Sequence, residues 1–246
     1  DIARPDQSQW PADEGFRLAA QYFGDLRPGP RPAPVTADAT PVQPARLLLE
    51  DRVELPRLYL AWHSPAMFAP GDAEMDLVAD LLANGKSSRL YTALVYERRI
   101  ATDVSAMQNS REMAGLCQIV ATAMPGQTLA VLFEAVQGEI DRLLRHGATP
   151  DEMDRGLAQA EAHFVGRLQT LGGFGGKSDQ LNAYTVFLDD PGYLSRDLQR
   201  YRTATADTLA ESARQFLGHD RRVVLSVVPA GRADLAVPGS QTVEVA

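Results

Sequence analysis

The sequence predicts an α+β fold in which a mostly antiparallel sheet carries several helices layered on one face. Two observations lead to this prediction. Strand patterns and helix patterns occur in separate runs along the chain, instead of alternating regularly as they do in a βαβ architecture. The long helical segments each carry one apolar stripe, which has to pack against a sheet or another helix. The chain has 246 residues, of which 45% are hydrophobic, so one large core is available.

The order of the segments predicts four regions. Residues 1–26 contain one short helix pattern, at residues 12–23, and are predicted to be the remnant of a preceding domain. Residues 27–44 contain six prolines, which disfavour helix and central strand, and are predicted to be a semi-rigid linker. The main domain is predicted at residues 45–230. Residues 231–246 are predicted to be a C-terminal tail.

The main domain begins and ends with strand patterns. The second predicted strand, residues 57–63, alternates between apolar and polar side chains, which predicts one buried face and one open face. The predicted strands are residues 46–53, 57–63, 101–109, 115–124 and 223–228. A short loop separates the third strand from the fourth, and this spacing predicts a hairpin.

Helix patterns fill the rest of the main domain. The shorter predicted helices are residues 72–83, 87–99, 177–188, 193–202 and 205–217. Two long helices have apolar stripes that span residues 129–144 and 153–171. Gly147 separates them, and the following Thr149-Pro150-Asp151-Glu152 supplies a capping threonine, a proline for the first turn and a glutamate that bonds back.

Charge and cysteine content argue against several classes of function. The formal net charge is −8, whereas a nucleic-acid surface requires clustered lysine and arginine. No apolar run approaches the roughly 20 residues needed to cross a bilayer. The single cysteine, Cys117, forms no disulfide within the chain. Its alternation with Ile119 and Ala121 predicts a core position.

The sequence contains no recognisable metal or nucleotide motif. The four histidines are His63, His146, His163 and His219. No two of them lie one helical turn apart, and neither H-x-x-E-H nor H-E-x-x-H occurs, so we predict no metal site in this chain. Gly-Lys-Ser triplets at residues 85–87 and 176–178 end like phosphate-binding loops. Both follow helix patterns, whereas a nucleotide-binding domain needs a strand leading into such a loop.

One motif carries more information than the rest. Residues 85–91 read Gly-Lys-Ser-Ser-Arg-Leu-Tyr, and a helix pattern to residue 99 and a strand pattern at residues 101–106 follow. This order resembles a signature of the pitrilysin/insulinase family of zinc peptidases, the inverzincins, where it opens the second domain of each two-domain half. Further similar pieces extend the resemblance over nearly the whole chain. They are residues 22–25, 49–62, 171–182 and 221–229.

The resemblance implies a domain of a long bacterial peptidase that does not bind the metal. In that family, zinc is held by H-x-x-E-H and a later glutamate in the preceding domain, so zinc is expected in a domain missing here and no cofactor in this chain. The implied partners are that zinc-bearing domain, on the same full-length chain or on a partner subunit, and a peptide substrate. The family resemblance favours the bacterial periplasm and leaves the cytoplasm open.

The sequence departs from the family pattern at the substrate-binding positions. Many members carry an arginine and, seven residues later, a tyrosine, which bind the substrate backbone. Aligning on Ser88-Arg89-Leu90 places these positions at Val95, which has no donor, and at Thr102, which is short. No catalytic residue is therefore assigned. The remaining candidates for substrate binding are Arg98, Arg99, Gly172 and Gly173.

Two functional hypotheses follow from the resemblance. In the first, the chain is a non-catalytic domain of a zinc metallopeptidase, which shapes the peptide-binding chamber and pairs with a separate zinc-bearing domain. In the second, it is a scaffolding or interaction domain of a catalytically inactive homologue, like the core subunits of respiratory complexes that resemble processing peptidases. An H-x-x-E-H motif upstream of residue 1 favours the first hypothesis.

Overall fold

The structure, a computed structural model, describes residues 12–27, 29–30, 33, 43–170, 172 and 174–244. The chain divides into two units, Asp1–Ala37 and Asp38–Ala246. In the first unit, the described part forms helix α1, Ala12–Phe23, as predicted. Its apolar side chains Phe16, Tyr22 and Phe23 are exposed. Residues 1–11 and most of the predicted linker lie outside the described residues.

The second unit is built on a six-stranded sheet with the order β3-β4-β2-β5-β1-β6. The strands are β1 (Ala45–Asp51), β2 (Arg57–Ser64), β3 (Ala101–Asn109), β4 (Gly115–Ala123), β5 (Arg222–Pro229) and β6 (Gln241–Thr242). Three neighbouring pairs, β3–β4, β4–β2 and β2–β5, are antiparallel. The pairs β5–β1 and β1–β6 are parallel. The predicted hairpin and the mostly antiparallel sheet are confirmed.

The helices are layered on one face of the sheet, where some contact the strands directly and the others pack on those helices. They are α2 (Asp72–Ala83), α3 (Leu129–His146), α4 (Pro150–Gln169), α5 (Lys177–Leu188), α6 (Leu194–Arg202) and α7 (Ala206–Phe216). The two faces of β2 show the layering: Leu58, Leu60 and Trp62 are buried under the helices, whereas Arg57 and Tyr59 lie on the open face. Burial of the apolar stripes is the main force that holds these layers together. No helix in the described part of the chain is long and apolar enough to cross a membrane.

The junction between α3 and α4 forms as the sequence predicts. Gly147 ends α3 with a φ of 70°, a conformation that glycine adopts at low cost. Thr149 and Glu152 then form a complete capping box, and Pro150 occupies the first turn of α4. The two long helices are therefore separated by a turn that local sequence specifies.

The helix predicted at residues 87–99 takes a different form. A turn closed by the Ser88 hydroxyl, which donates to the Gly85 carbonyl at 2.7 Å, precedes a π-helical segment, Tyr91–Glu97. Its wider turn ends with the Arg98 amide bonded to the Ala93 carbonyl at 3.1 Å. π-Helical turns are rare in proteins, and many of those that exist lie at functional sites.

Residues 231–244, predicted from the sequence as part of a tail, instead pack on the sheet. The Val237 amide donates to the Ser226 hydroxyl at 3.1 Å, and the Val237 side chain is buried. The Val243 amide donates to the Leu48 carbonyl at 2.8 Å. Pairing with β1 covers a strand edge whose backbone groups would otherwise need another partner. This contact joins residues far apart in sequence, so local patterns do not reveal it.

Candidate functional site

The candidate site lies where the π-helical segment turns into β3. A pocket of about 390 Å³ opens there, and we call it the turn pocket. It is lined by Val95, Tyr96, Arg99, Ala101, Thr102 and Met124. The fold thus brings together the two positions at which the resemblance places a substrate-binding arginine and tyrosine, which are Val95 and Thr102 here.

Backbone geometry at both sides of the turn pocket is irregular. Arg99 has a φ of 52°, in the left-handed region, which costs a non-glycine residue about 1 kcal/mol or more. On β3, the register with β4 shifts between Ala101 and Asp103, so Thr102 is the extra residue of a β-bulge. Bulges and strained turns redirect side chains, and here both Arg99 and Thr102 line the same pocket.

A short polar network extends from Thr102 across the sheet. Thr102 Oγ1 lies 3.4 Å from the carbonyl oxygen of Thr122. Arg57 Nε donates to Thr122 Oγ1 at 3.1 Å, and Thr122 Oγ1 donates to Asp103 Oδ2 at 3.3 Å. Interaction with the Tyr59 side chain raises the pKa of Arg57, and the charge of Asp103 adds to this. Arg57 therefore stays cationic on the open face of the sheet.

A second depression continues the site over that open face. It has a volume of about 640 Å³, and we call it the sheet pocket. Its lining includes apolar side chains of three neighbouring strands, namely Leu49, Tyr59, Leu225 and Val227. Thr122 lines the sheet pocket and contacts Thr102 of the turn pocket, so the two depressions are adjacent. An apolar floor with a few polar groups is the usual composition of a binding groove.

The other predicted candidates are placed differently. Arg98 follows the π-helical segment and is exposed, but it does not line the turn pocket, whereas Arg99 does. Gly172 is exposed in the connection between α4 and α5, and Gly173 lies outside the described residues. In that connection the Lys177 amide donates to the Thr170 carbonyl at 2.7 Å, which closes the loop.

Arg89, in the motif at residues 85–91, has a structural role that local sequence does not predict. Its Nε and Nη2 donate to the two carboxylate oxygens of Glu152 at 2.6 and 2.7 Å, and Nη2 also reaches the Gly147 carbonyl at 2.8 Å. Burial alone would raise the pKa of Glu152, but hydrogen bonds from Arg89 and Thr149 outweigh it and leave the pKa lowered. Arg89 thus links the turn that precedes the π-helical segment to the start of α4.

The histidines do not converge on a metal site. Among the described residues, no group of three or more histidine, cysteine, aspartate or glutamate side chains is arranged to hold an ion. His219 Nε2 lies 2.8 Å from Asp141 Oδ1 on the surface. Cys117 is fully buried in the core, as predicted, so its thiol is not available as a ligand or nucleophile.

Comparison with known families identifies the domain. The sequence profile described as the Peptidase M16 inactive domain matches residues 7–160. The chain belongs to this family. The M16 inactive domain is also 30% identical over 157 residues to an uncharacterized zinc protease of Streptomyces coelicolor. The match covers 63% of this chain but only 32% of the relative, so the chain spans about a third of that protein.

Solved structures show the same fold. A protease from Helicobacter pylori matches with a TM-score of 0.78 at 19% identity, over 89% of this chain and 53% of that chain. A peptidase M16 inactive domain from Pseudomonas fluorescens matches with a TM-score of 0.74 at 20% identity, over 96% of this chain and 53% of that chain. The chain is thus an inactive-type domain of the zinc protease family, with the α+β fold that the sequence predicts.

Proposed function

We propose that this M16 inactive domain forms part of the peptide-binding chamber of a zinc metalloendopeptidase. In this proposal a separate domain, on the same full-length chain or on a partner subunit, holds the zinc and performs the cleavage. The M16 inactive domain supplies surface that positions an unfolded peptide. The family assignment and the lack of a metal-binding cluster among the described residues support this division of labour.

The turn pocket is the observation that carries the proposal. It lies at the positions where the resemblance places a substrate-binding pair, and it retains an exposed aromatic side chain, Tyr96, and a cation, Arg99. A guanidinium group donates charge-assisted hydrogen bonds to peptide carbonyl oxygens, and an aromatic ring packs against apolar side chains. We therefore assign substrate contact to Arg99 and Tyr96, with the sheet pocket receiving an adjacent apolar side chain of the peptide.

Substitution of the two neighbouring arginines tests this assignment. In the peptidase assembled with its zinc-bearing domain, Arg99→Gln should raise KM for an unfolded fluorogenic peptide about tenfold, the effect of losing one charge-assisted hydrogen bond. Arg98→Gln is the matched control, because Arg98 is exposed and lies outside the turn pocket. The control should change KM less than about twofold. Equal effects of the two substitutions would refute the role of Arg99.

Zinc content tests the division of labour. Elemental analysis should find no stoichiometric zinc in this chain alone. It should find about one zinc for each assembly of this domain with its zinc-bearing domain. This chain alone should not cleave the peptide. One tightly bound zinc in the isolated chain would contradict the proposal.

The loss of the family pair at Val95 and Thr102 favours a second candidate function, a scaffolding domain of a catalytically inactive homologue. In that case the full-length protein would assemble with a partner but would neither bind zinc nor cleave peptides. The zinc and cleavage measurements on the full-length protein therefore distinguish the two functions.

A further inference from the structure

A second cavity lies on the helical side of the sheet, separate from the turn pocket and the sheet pocket. It has a volume of about 620 Å³ and is bounded by α2, α4, α6 and the edge strand β3. It shares no lining residue with either of the other two pockets. We call it the acidic cavity, after Asp76 and Asp80 of α2, which line it together with Tyr201 of α6.

The two carboxylates are positioned to act on one ligand. Asp76 and Asp80 are one helical turn apart, so their side chains share one face of α2. Asp76 Oδ2 accepts a hydrogen bond from the Tyr201 hydroxyl at 2.6 Å, and Asp80 Oδ1 accepts one from the Asn84 amide at 3.0 Å. Among the described residues, the second oxygen of each carboxylate has no hydrogen-bond donor. Each carboxylate is therefore oriented by a neighbour and keeps one oxygen for a ligand.

Within the part of the chain that the structure describes, no basic side chain forms an ion pair with either carboxylate. Arg200 of α6 is committed to Asp72 and Asp197 at 2.7 and 2.8 Å. His163 and Arg167 of α4 also line the cavity, but both are exposed to solvent, which screens their charges. Among the described residues the two carboxylates thus have no direct ion pair, and the charges of Arg200 and His163 act on Asp76 and Asp80 from beyond ion-pair distance.

Burial of these carboxylates has a measurable consequence. Burial, together with the charges of Asp72 and Asp80, raises the pKa of Asp76 to about 7, against the opposing effects of the Tyr201 hydrogen bond and the Arg200 charge. Burial also raises the pKa of Asp80. Desolvated carboxylates without a direct ion pair are costly, and a bound cation would offset part of that cost.

The rest of the lining is suited to an apolar stem and a polar neighbour. The apolar walls of the cavity are formed by Ala79, Ala106 and Phe164. The Phe164 ring packs edge-on against the Tyr201 ring, with 5.4 Å between the ring centroids. Gln108 of β3 also lines the cavity, and both its amide nitrogen and its amide oxygen are buried without a partner among the described residues. Unsatisfied buried amide groups are rare in folded proteins and indicate a missing polar partner.

We propose that the acidic cavity binds an alkylammonium or guanidinium cation carried on an apolar stem, with Asp76 and Asp80 as its anionic contacts. The stem lies along the alanines and Phe164, and the aromatic pair adds a cation–π contact. The same chemistry is present in a lysine or arginine side chain of a peptide and in a free alkylamine. This site belongs to the M16 inactive domain itself and does not depend on the zinc-bearing partner.

Calorimetric titration of the purified chain at pH 8 tests the proposal. One arm uses n-butylammonium and n-butylguanidinium, and the other uses a capped Ala-Ala-Lys-Ala-Ala peptide. Saturable binding in the first arm alone assigns the site to free amines, and tighter binding of the peptide assigns it to a basic side chain. Neutral n-pentanol and the peptide with glutamine in place of lysine should not bind. Absence of saturable binding in both arms, or equal binding of the neutral compounds, would overturn the proposal.

Variants locate the site. Asp76→Asn and Asp80→Asn should each weaken binding at least about tenfold, because each removes one anionic contact. Asp207→Asn, an exposed carboxylate on α7 outside the cavity, is the matched control and should leave binding unchanged. Thermal unfolding verifies that the variants are folded, and Asp80→Asn provides the test if Asp76→Asn is unstable. Wild-type affinity in a folded Asp76 or Asp80 variant would refute the assignment.

Discussion

Replacing Arg89 by methionine should destabilise the domain far more than breaking a surface ion pair. The Arg89 and Glu152 side chains are only 12% and 13% exposed, and they form a two-point contact at 2.6 and 2.7 Å. Arg89→Met fills a similar volume but leaves the Glu152 carboxylate buried without its cation. Breaking one partner of such a pair costs about 3–5 kcal/mol. The Gly147 carbonyl also loses its bond to Arg89, which adds to this cost.

Urea unfolding monitored by circular dichroism measures the effect. The midpoint should fall while the m-value stays constant, because the surface exposed on unfolding is unchanged. The control pair is Arg202–Glu161, which joins α6 to α4 at 2.5 Å but is 53% and 45% exposed. Arg202→Met should cost no more than about 1 kcal/mol, since solvent screens exposed pairs.

A double-mutant cycle separates the pair from its surroundings. In Arg89→Met/Glu152→Gln, the buried charge is gone, so part of the stability lost in Arg89→Met should return. Glu152→Gln keeps an acceptor for the Thr149 amide and thereby most of the capping box. If Arg89→Met costs no more than Arg202→Met, the motif arginine does not fix the π-helical segment to α4, and our structural explanation of it is wrong.

Three further predictions concern the core and the glycines. Burial raises the pKa of Asp76 in the folded state from 3.8 to about 7, so the folded state binds the proton more tightly than the unfolded state. The free energy of unfolding of the wild type should therefore fall by about 4 kcal/mol as the pH rises from about 4 to 8. Urea unfolding across this range should show a smaller fall for Asp76→Asn, and an equal fall would exclude Asp76 as the cause. Gly115→Ala should destabilise the domain by about 2 kcal/mol or more, because the added Cβ would lie 2.4 Å from the Pro65 carbonyl oxygen. Gly138→Ala in α3, where the added Cβ meets open space, should stabilise the domain by about 0.5–1 kcal/mol in the same assay. The reverse order would contradict the packing described. Burial raises the pKa of the Cys117 thiol to about 12, so a thiol reagent should label it only after denaturation, and rapid labelling of the folded domain would refute its core position.

The parts of the fold that were predictable depend on near neighbours in sequence. The capping box of Thr149 and Glu152 lies within four residues, and the structure confirms it. The alternation along β2 likewise predicts its buried and open faces, because strand geometry alone places successive side chains on opposite sides. At the candidate site, the sequence identified positions Val95 and Thr102 but gave no reason for them to share a pocket.

The sequence by itself determined the α-helices, the hairpin, the absence of a zinc-binding motif and the family resemblance, but not the π-helical form of residues 91–97. Each of the features that it determined depends on short-range order or on residue identity. Tertiary structure alone decided three other features: the pairing of Arg89 with Glu152, the addition of β6 to β1, and the acidic cavity between α2, α4 and β3. Each joins segments that lie between about 30 and 200 positions apart in sequence. Hydrophobic burial brings such segments together, and local propensity carries no information about their pairing.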